Sequence, residues 1–249
     1  MATVSTGNNE PNLQFWIERL RDRDASKRLH AVTVLGSLGP RARGALPALL
    51  EALRDRSAEV RRMAAIALSE VGPEGCLAIP ALIQALQDED ETVRRRVIAA
   101  LYEMGPDARM AAAALVQSLR DTSPLVRRWA AAALGEIGPT APASIPALIE
   151  ALREEDIKTR AVTAAALVKM GSRAVPRLID ALHHPVAHVR RHAARALGKS
   201  PRGADAAAAL VLLLGDPEPL VREAAAEALW KVAPETAAQA RAPRVYNRE

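Results

Sequence analysis

A segment of about 33 residues recurs along the chain, and this repeat constrains the fold more than any other sequence feature. One arginine marks each copy; its positions are separated by 33 residues in the first four steps and by 30 and 32 in the last two. A leucine stands seven residues after each of these arginines, without exception. A stack of equivalent units around one hydrophobic core is therefore the expected architecture. These anchor arginines are Arg28, Arg61, Arg94, Arg127, Arg160, Arg190 and Arg222.

Each copy predicts two helices joined by a polar turn. The first helix is short and carries proline in its first turn, as in residues 45–53, where the missing N–H of proline costs nothing. The second begins near the anchor arginine and ends at a pair such as Gly72-Pro73, because glycine accepts a left-handed cap and proline cannot continue the helix. Only 2% of the residues are aromatic, and a core of Ala, Leu, Val and Ile suits closely packed helices. The sequence predicts an all-α fold without strands.

The order of residues within each copy resembles the HEAT repeat, in its short bacterial form known as the PBS-lyase HEAT-like repeat. An acid, the anchor arginine, an Ala-Ala pair, an Ala-Leu pair and a glycine follow one another, although His184 replaces the acid in the sixth copy. The resemblance covers about residues 13–232 and implies a right-handed α-α solenoid (superhelix) of about seven HEAT-like helical hairpins. It also implies that the acid and anchor rows stabilise the turns and the contacts between neighbouring repeats, so both rows are expected to be structural.

The repeat divides the chain into three parts. Residues 1–11 are polar and predicted to be a disordered N-terminal segment, residues 12–233 form the HEAT-like solenoid, and residues 234–249 are predicted to be a flexible basic tail. In the sixth copy, Lys199-Ser200-Pro201 replaces Gly-Pro, and irregular packing is expected there. No signal peptide or membrane-spanning run is visible, and the single cysteine, Cys76, excludes an internal disulfide. A cytoplasmic location is therefore expected.

The face of the second helices that points away from the core is the candidate binding surface. At about 100° per residue, positions one, five and eight residues after the anchor arginine lie on this side, with positions two and nine on its flank. The resemblance places this side in the concave groove of the solenoid. Arginine, tryptophan and tyrosine there suit bidentate contacts to carboxylate or phosphate and are typical of binding hot spots. A solvated helix face explains the arginine row equally well, and this alternative stays open. The candidate partner-binding residues are Arg62, Arg95, Arg96, Tyr102, Arg128, Trp129, Arg191, His192, Arg195 and Trp230.

No sequence motif identifies a catalytic site. Deoxyhypusine hydroxylase, which is also built of HEAT repeats, binds two irons through His-Glu dipeptides, and no histidine here precedes a glutamate. His188 and His192 are one helical turn apart, a spacing that can bind zinc, but no further ligand completes the set. They are a weak metal candidate, and no cofactor is predicted. Because the chain also lacks a Ser-His-Asp set and a phosphate-binding glycine loop, it is expected not to be an enzyme, although a lyase-type role stays open.

These observations predict a non-catalytic protein-interaction scaffold, monomeric, that binds an acidic or extended protein segment on its concave face. The net charge is +5 with an isoelectric point near 9.9, which permits an acidic partner without requiring one. Two alternatives stay open. One is a phycobilin lyase-type subunit or chaperone that acts on a tetrapyrrole protein, and the other is nucleic-acid binding through the arginine-rich groove.

Overall fold

The computed structural model describes residues 13–244, and this part of the chain contains α-helices and short 3₁₀ turns but no strand. Contacts divide the chain into two compact units, Met1–Ala100 and Leu101–Glu249, with the boundary inside the sixth helix. Within the described range, no helix is both long and apolar enough to cross a membrane. The α-helices are α1 Leu13–Arg19, α2 Ala25–Ser37, α3 Leu46–Ala52, α4 Ala58–Glu70, α5 Ile79–Ala85, α6 Glu91–Glu103, α7 Ala112–Ser118, α8 Pro124–Ile137, α9 Ser144–Ala151, α10 Ile157–Lys169, α11 Val175–Ala181, α12 Ala187–Leu197, α13 Ala207–Leu213, α14 Pro219–Val232 and α15 Pro234–Gln239.

The helices from α1 to α14 form consecutive hairpins, each with a short first helix and a longer second helix. Second helices of neighbouring repeats pack side by side, α2 on α4 in the first unit, and α8 on α10 and α12 on α14 in the second. A single hairpin cannot cover its own apolar face, and the neighbouring hairpin completes the core. The fold is the predicted all-α solenoid. The leucines seven residues after the anchor arginines fill its interior and are at most 1% exposed: Leu35, Leu68, Leu101, Leu134, Leu167, Leu197 and Leu229.

Small residues bring the second helices into close contact. Gly135 of α8 is buried, and a Cβ atom at this position would lie 2.8 Å from the Cα atom of Ala166 in α10. A Cβ atom at Gly36 would similarly lie 3.2 Å from the Cβ atom of Ala67. Both glycines stand eight residues after an anchor arginine. The prediction that this position points into the open surface is wrong at these two residues, because neighbouring second helices pack against it.

Glycines with positive φ follow the second helices of the first five repeats, and four of them belong to the predicted Gly-Pro pairs. At the end of α8, Gly138 has φ +82° and its N–H donates to the carbonyl oxygen of Leu134 at 3.0 Å. Residues that carry a Cβ atom rarely adopt this backbone conformation, so glycine is the residue suited to this position. The sixth repeat differs, because Gly198 at the end of α12 has φ −63°, an ordinary helical value. Turns of 3₁₀ helix follow most of the second helices: Gly39–Ala45, Pro73–Ala78, Gly105–Ala111, Gly171–Ala174 and Gly203–Ala206.

The segment after the last repeat is folded as far as the structure describes it. Helix α15 packs on α14, and Ala237 and Ala242 are buried. This differs from the flexible tail predicted for residues 234–249, because two alanines of the segment pack against the last repeat. The predicted disordered segment at residues 1–11 and residues 245–249 of the tail lie outside the described residues.

Candidate partner-binding surface

Two anchor arginines of the first unit, Arg28 and Arg61, join neighbouring repeats through buried ion pairs. Arg28 donates from Nε and Nη2 to the two carboxylate oxygens of Asp55 in the next repeat, at 2.6 and 2.8 Å. Its Nη1 donates to the backbone oxygen of Asp22, in the turn of its own repeat, at 3.0 Å. Arg61 makes the same two contacts with Asp88, at 2.7 and 2.8 Å. One side chain thus holds a turn and a repeat junction together, which confirms the predicted structural role for Arg28, Arg61 and their aspartates.

The second unit contains a complete and an incomplete version of this pair. Arg190 donates from Nε and Nη2 to Asp216 at 2.7 and 2.9 Å, and the hydrogen bond from Arg190 lowers the pKa of that carboxyl. Arg127 donates only from Nη2 to Glu154, at 2.8 Å, and its buried Nε has no hydrogen-bond partner in the described chain. Glutamate has one more methylene group than aspartate, and its carboxylate is therefore placed differently. It accepts a hydrogen bond from Nη2 of Arg127 but not from Nε.

The anchor arginine of the fifth repeat has no acid to bind. Nη1 of Arg160 donates to the backbone oxygens of Glu154 and Glu155, at 2.6 and 2.9 Å, as other anchor arginines do in their own turns. His184 occupies the acid position of the next repeat, where its Nδ1 accepts a hydrogen bond from the backbone N–H of Val186 at 3.1 Å. The imidazole therefore preserves the turn but supplies no negative charge. Among residues 13–244, Arg160 makes no ion pair.

The candidate arginines of the first unit lie on the exposed side of their helices without acidic partners. Arg62 on α4 and Arg95 on α6 are half-buried, and Arg96 is exposed. No ion pair involves any of the three within the part of the chain that the structure describes. Their guanidinium groups are therefore available for contacts with an anionic partner.

Arg128 in the second unit is already bound. Its Nη2 donates to Oδ2 of Asp156 at 2.8 Å, and both side chains are about a quarter to a third exposed. Asp156 also caps helix α10 by accepting from the backbone N–H of Thr159 at 2.8 Å. The hydrogen bonds from the Thr159 hydroxyl and from Arg128 hold the pKa of Asp156 well below its usual range. Arg128 therefore ties two repeats together, in addition to any contact with a partner.

Trp129 is the most exposed of the candidate aromatic side chains. It is 37% exposed, on α8, next to Arg128. Tyr102, at the end of α6, meets it edge to face, with ring centroids 6.1 Å apart and an interplanar angle of 90°. The tyrosine ring is half-buried and restricts the position of the indole. A supported, accessible tryptophan of this kind is typical of the centre of a protein-binding site.

Three candidate residues cluster on α12. Arg191 and His192 are half-buried, and Nε of Arg195 lies 3.9 Å from a carboxylate oxygen of Glu227. Burial, together with the charges of Arg191 and Arg195, lowers the pKa of His192 to about 4. His192 and His188 lie on this helix, but no group of three or more His, Cys, Asp and Glu residues that could hold a metal ion occurs in the described range. The arrangement favours anions over cations.

The chain's own C-terminal segment covers Trp230. The indole Nε1 donates to the backbone oxygen of Ala242 at 3.3 Å, and the guanidinium carbon of Arg244 lies 4.9 Å from the ring centroid. The ring is half-buried. Trp230 therefore packs within the protein, and a partner would have to displace residues 242–244 to reach all of it.

A cleft of ≈ 650 Å³ opens beside the incomplete Arg127–Glu154 pair. It lies among the first helices and turns of the second unit rather than on the face of the second helices. Acidic and basic side chains alternate around it, so its charge selects no particular ligand. The charged residues that line it are Arg120, Asp121, Arg127, Glu150, Arg153, Glu154 and Glu155.

Two features of the surface were not predicted from the sequence. The first is Asp156 as the partner of Arg128; the signal was an acid 28 residues later, close to the 27-residue spacing between an anchor arginine and its aspartate. The second is the effect of His184, which the pattern marks as the one copy without an acid. The Arg128–Asp156 contact joins two repeats, and a comparison of equivalent positions does not reveal it. The exchange at His184 is visible in the repeat pattern, but its consequence for Arg160 in the neighbouring repeat is not.

A family model described as HEAT repeats matches the sequence at residues 13–79, 79–167 and 145–230. A search of curated proteins gave no significant match.

Solved structures of similar fold include solenoids that bind proteins. One is the complex of CpcE and CpcF of phycocyanin lyase from Nostoc sp. PCC7120, with 23% identity, a TM-score of 0.55, and coverage of 97% of this chain and 96% of that one. Another is Kap95p with RanGDP, with 15% identity, a TM-score of 0.63, and coverage of 89% and 34%. A third is importin beta, with 14% identity, a TM-score of 0.67, and coverage of 90% and 36%. At these identities the likeness concerns the fold.

Proposed function

Because the chain belongs to the HEAT-repeat family, we propose that it is a non-catalytic protein-interaction scaffold in the cytoplasm. The proposed ligand is an acidic or extended protein segment, bound on the exposed face of the second helices. Within each unit, second helices of neighbouring hairpins pack side by side, and a surface of this kind suits an extended chain better than a small molecule.

Trp129 is the observation that carries this proposal. Trp129 leaves 37% of its surface exposed on a second helix of a solenoid whose core is built from small apolar residues. Tyr102 fixes its orientation, and this reduces the conformational entropy lost when a partner binds. Arg128 lies beside it and can offer a second contact from its partly exposed guanidinium.

The solved structures of similar fold support a protein as the ligand. CpcE is found in complex with CpcF, and Kap95p in complex with RanGDP. This chain shares their architecture, so a protein partner is the proposal that its family favours. The chain spans about a third of the length of Kap95p, and the partner of that protein is not carried over.

The test is affinity capture from a lysate of the source organism with three forms of the protein. Trp129→Ala removes the proposed anchor, and Leu212→Ala is the matched control, because Leu212 is 73% exposed but lies on the first helix α13. We expect one protein to be retained by the wild type and by Leu212→Ala, and its retention to fall at least about fivefold with Trp129→Ala.

Two results would replace this proposal with another. Loss of the captured material after nuclease treatment would indicate nucleic-acid binding, whose affinity also falls steeply with salt. Capture of a coloured, tetrapyrrole-bearing protein would indicate a lyase-type or chaperone role. Equal retention by all three forms would show that Trp129 is not part of the binding site.

A further inference from the structure

Helix α12 carries cations that the repeat pattern leaves without a full set of acidic partners. Arg191 and Arg195 lie one helical turn apart on α12, which packs against α10. Burial lowers the pKa of Arg191 most, and the positive charges of Arg195 and of Arg160, in the first turn of α10, lower it further. Nε of Arg191 is buried and has no hydrogen-bond partner among the described residues. Such a donor is rare in a folded protein.

Acidic side chains neutralise these cations only in part. The carboxylate of Glu223 acts on Arg191, and Glu227 lies 3.9 Å from Arg195 but is shared with a lysine 2.6 Å away. Two lysines line a cleft of ≈ 200 Å³ together with Arg195. The α12 cation cluster thus sets five cations, Arg160, Arg191, Arg195, Lys199 and Lys231, against two carboxylates, Glu223 and Glu227.

The replacement of an acid by His184 explains part of this surplus. In the repeats with a complete pair, such as Arg190 with Asp216, a carboxylate neutralises the anchor arginine. The imidazole at position 184 keeps the turn but leaves the charge of Arg160 uncompensated. The excess positive charge also acts on His192, whose pKa is lowered by burial and by repulsion from the neighbouring arginines.

We propose, building on the protein-binding function above, that Arg160, Arg191 and Arg195 form a site for the carboxylates of an acidic, extended segment of a protein partner. An incoming carboxylate would relieve the repulsion among the three guanidinium groups. Arginine is suited to this task because its planar fork binds a carboxylate through two hydrogen bonds.

The spacing of the arginines matches an extended chain. Residues four apart on a helix, such as Arg191 and Arg195, are separated by about 6 Å along the axis. In an extended segment, side chains on one face recur at every second residue, about 6.7 Å apart. Two carboxylates on one face of such a segment can therefore reach both guanidinium groups at once.

The acids within the cluster favour a protein segment over nucleic acid. A continuous row of phosphates would meet Glu223 and Glu227, whereas carboxylates separated by other side chains can avoid them. Sites for single-stranded nucleic acid combine cations with aromatic rings on which bases stack. The residues that line the cleft beside Arg195 include no aromatic ring.

The experiment measures the affinity of the protein for a labelled peptide of alternating glutamate and serine, at low ionic strength. The double variant Arg191→Gln with Arg195→Gln should weaken binding at least about tenfold. The matched control, Arg109→Gln with Arg120→Gln, removes the same charge from two exposed arginines of the same unit and should change it less than about twofold. Equal loss in both double variants would show that net charge alone attracts the peptide and would overturn the site.

A second variant covers the case in which the double variant does not fold. His184→Asp supplies the missing carboxylate to Arg160, and should weaken peptide binding about threefold without lowering the melting temperature. Unchanged peptide affinity in this variant, or tighter binding of a DNA oligonucleotide of equal charge, would overturn the proposal.

Trp129→Ala should leave the affinity for this short peptide unchanged. If Trp129→Ala loses the captured partner while the cluster variants keep the peptide, the protein-binding function stands and the α12 site fails. If Trp129→Ala keeps the captured partner while the cluster variants lose the peptide, the α12 site stands and the role of Trp129 fails.

Discussion

The same arginine position has different surroundings at two junctions between repeats. One junction joins the first and second repeats, and the other joins the fifth and sixth. At the first, Arg28 and Asp55 are 5% and 10% exposed and share two hydrogen bonds. At the second, Arg160 keeps its contacts to its own turn, but His184 replaces the acid. One position is a buried connector between repeats, and the other is an uncompensated positive charge beside α12.

This difference teaches where to seek function in a repeat protein. Positions that follow the repeat pattern are explained by the need of every hairpin for the same contacts. Positions that break the pattern lose a structural partner, and their side chains are then available for another one. The four predictions that follow test this contrast by removing, adding or adjusting one partner at a time.

The largest expected effect is the loss of the carboxylate at the complete junction. Asp55→Ala leaves a buried guanidinium without its partner, and should lower the free energy of unfolding by about 3–5 kcal/mol. Urea denaturation followed by circular dichroism measures it, with the exposed Glu59→Ala in the same unit as a control. A loss below about 1 kcal/mol would mean that the anchor row is not what holds the repeats together.

The second effect concerns the acid sensitivity of the α12 region. His192 has a pKa of about 4 in the folded protein, below the ordinary value of 6.5. Between pH 6.5 and pH 4, His192 is therefore protonated in the unfolded chain but neutral in the folded chain. The contribution of His192 to stability is complete above pH 6.5 and is lost as the pH falls toward 4. Because the side chain is only half-buried, the loss should be roughly 2 kcal/mol.

His192→Gln removes this titration, so the difference in unfolding free energy between pH 7 and pH 4.5 should be smaller in the variant than in the wild type. Chemical denaturation at a series of pH values measures it. Parallel pH profiles for the two proteins would show that His192 is not held neutral by its surroundings.

The third effect is a gain at the incomplete junction. His184→Asp should allow Arg160 to form the buried pair seen at Arg28 and Asp55, and raise the free energy of unfolding by about 1 kcal/mol. His183→Asp is the control, because this neighbouring histidine is exposed and lies outside the repeat pattern. A stability decrease for His184→Asp would indicate that the fifth and sixth repeats meet in a geometry that excludes the pair.

The smallest effect is expected where the pair is present but imperfect. Glu154→Asp should let the carboxylate reach both Nε and Nη2 of Arg127, and stabilise the protein by about 0.5 kcal/mol. A thermal shift assay with replicate melts can resolve a change of this size. No gain, or a loss, would mean that the shorter side chain does not reach Arg127.

Much of the fold follows from the sequence because it is local and repeated. The period predicted seven hairpins, the Gly-Pro pairs predicted the ends of the second helices, and the acid and anchor rows predicted the connections between repeats. The surface was harder to predict, because the environment of a side chain depends on how one repeat packs on the next. Gly135 meets Ala166 of the neighbouring helix, and Trp230 is covered by residues 242–244.

Arg128 illustrates the same limit. Its position in the repeat predicts an open arginine, yet Asp156 of the next repeat binds it at 2.8 Å. The ten candidate residues therefore differ in availability, from the exposed Arg96 and Trp129 to the partly covered Trp230. A helical wheel treats them alike, because it contains one helix and no neighbours.

The central claim, that a protein partner binds on the face of the second helices, is tested most directly by photocrosslinking in the source cells. A benzophenone amino acid at Leu125, which is 38% exposed and one turn before Trp129 on α8, leaves the proposed anchor intact. The same group at Leu212 on α13 is the control. We predict a light-dependent covalent adduct with another protein from position 125 and none from position 212. An adduct from position 212 alone, or from neither position, would contradict the claim.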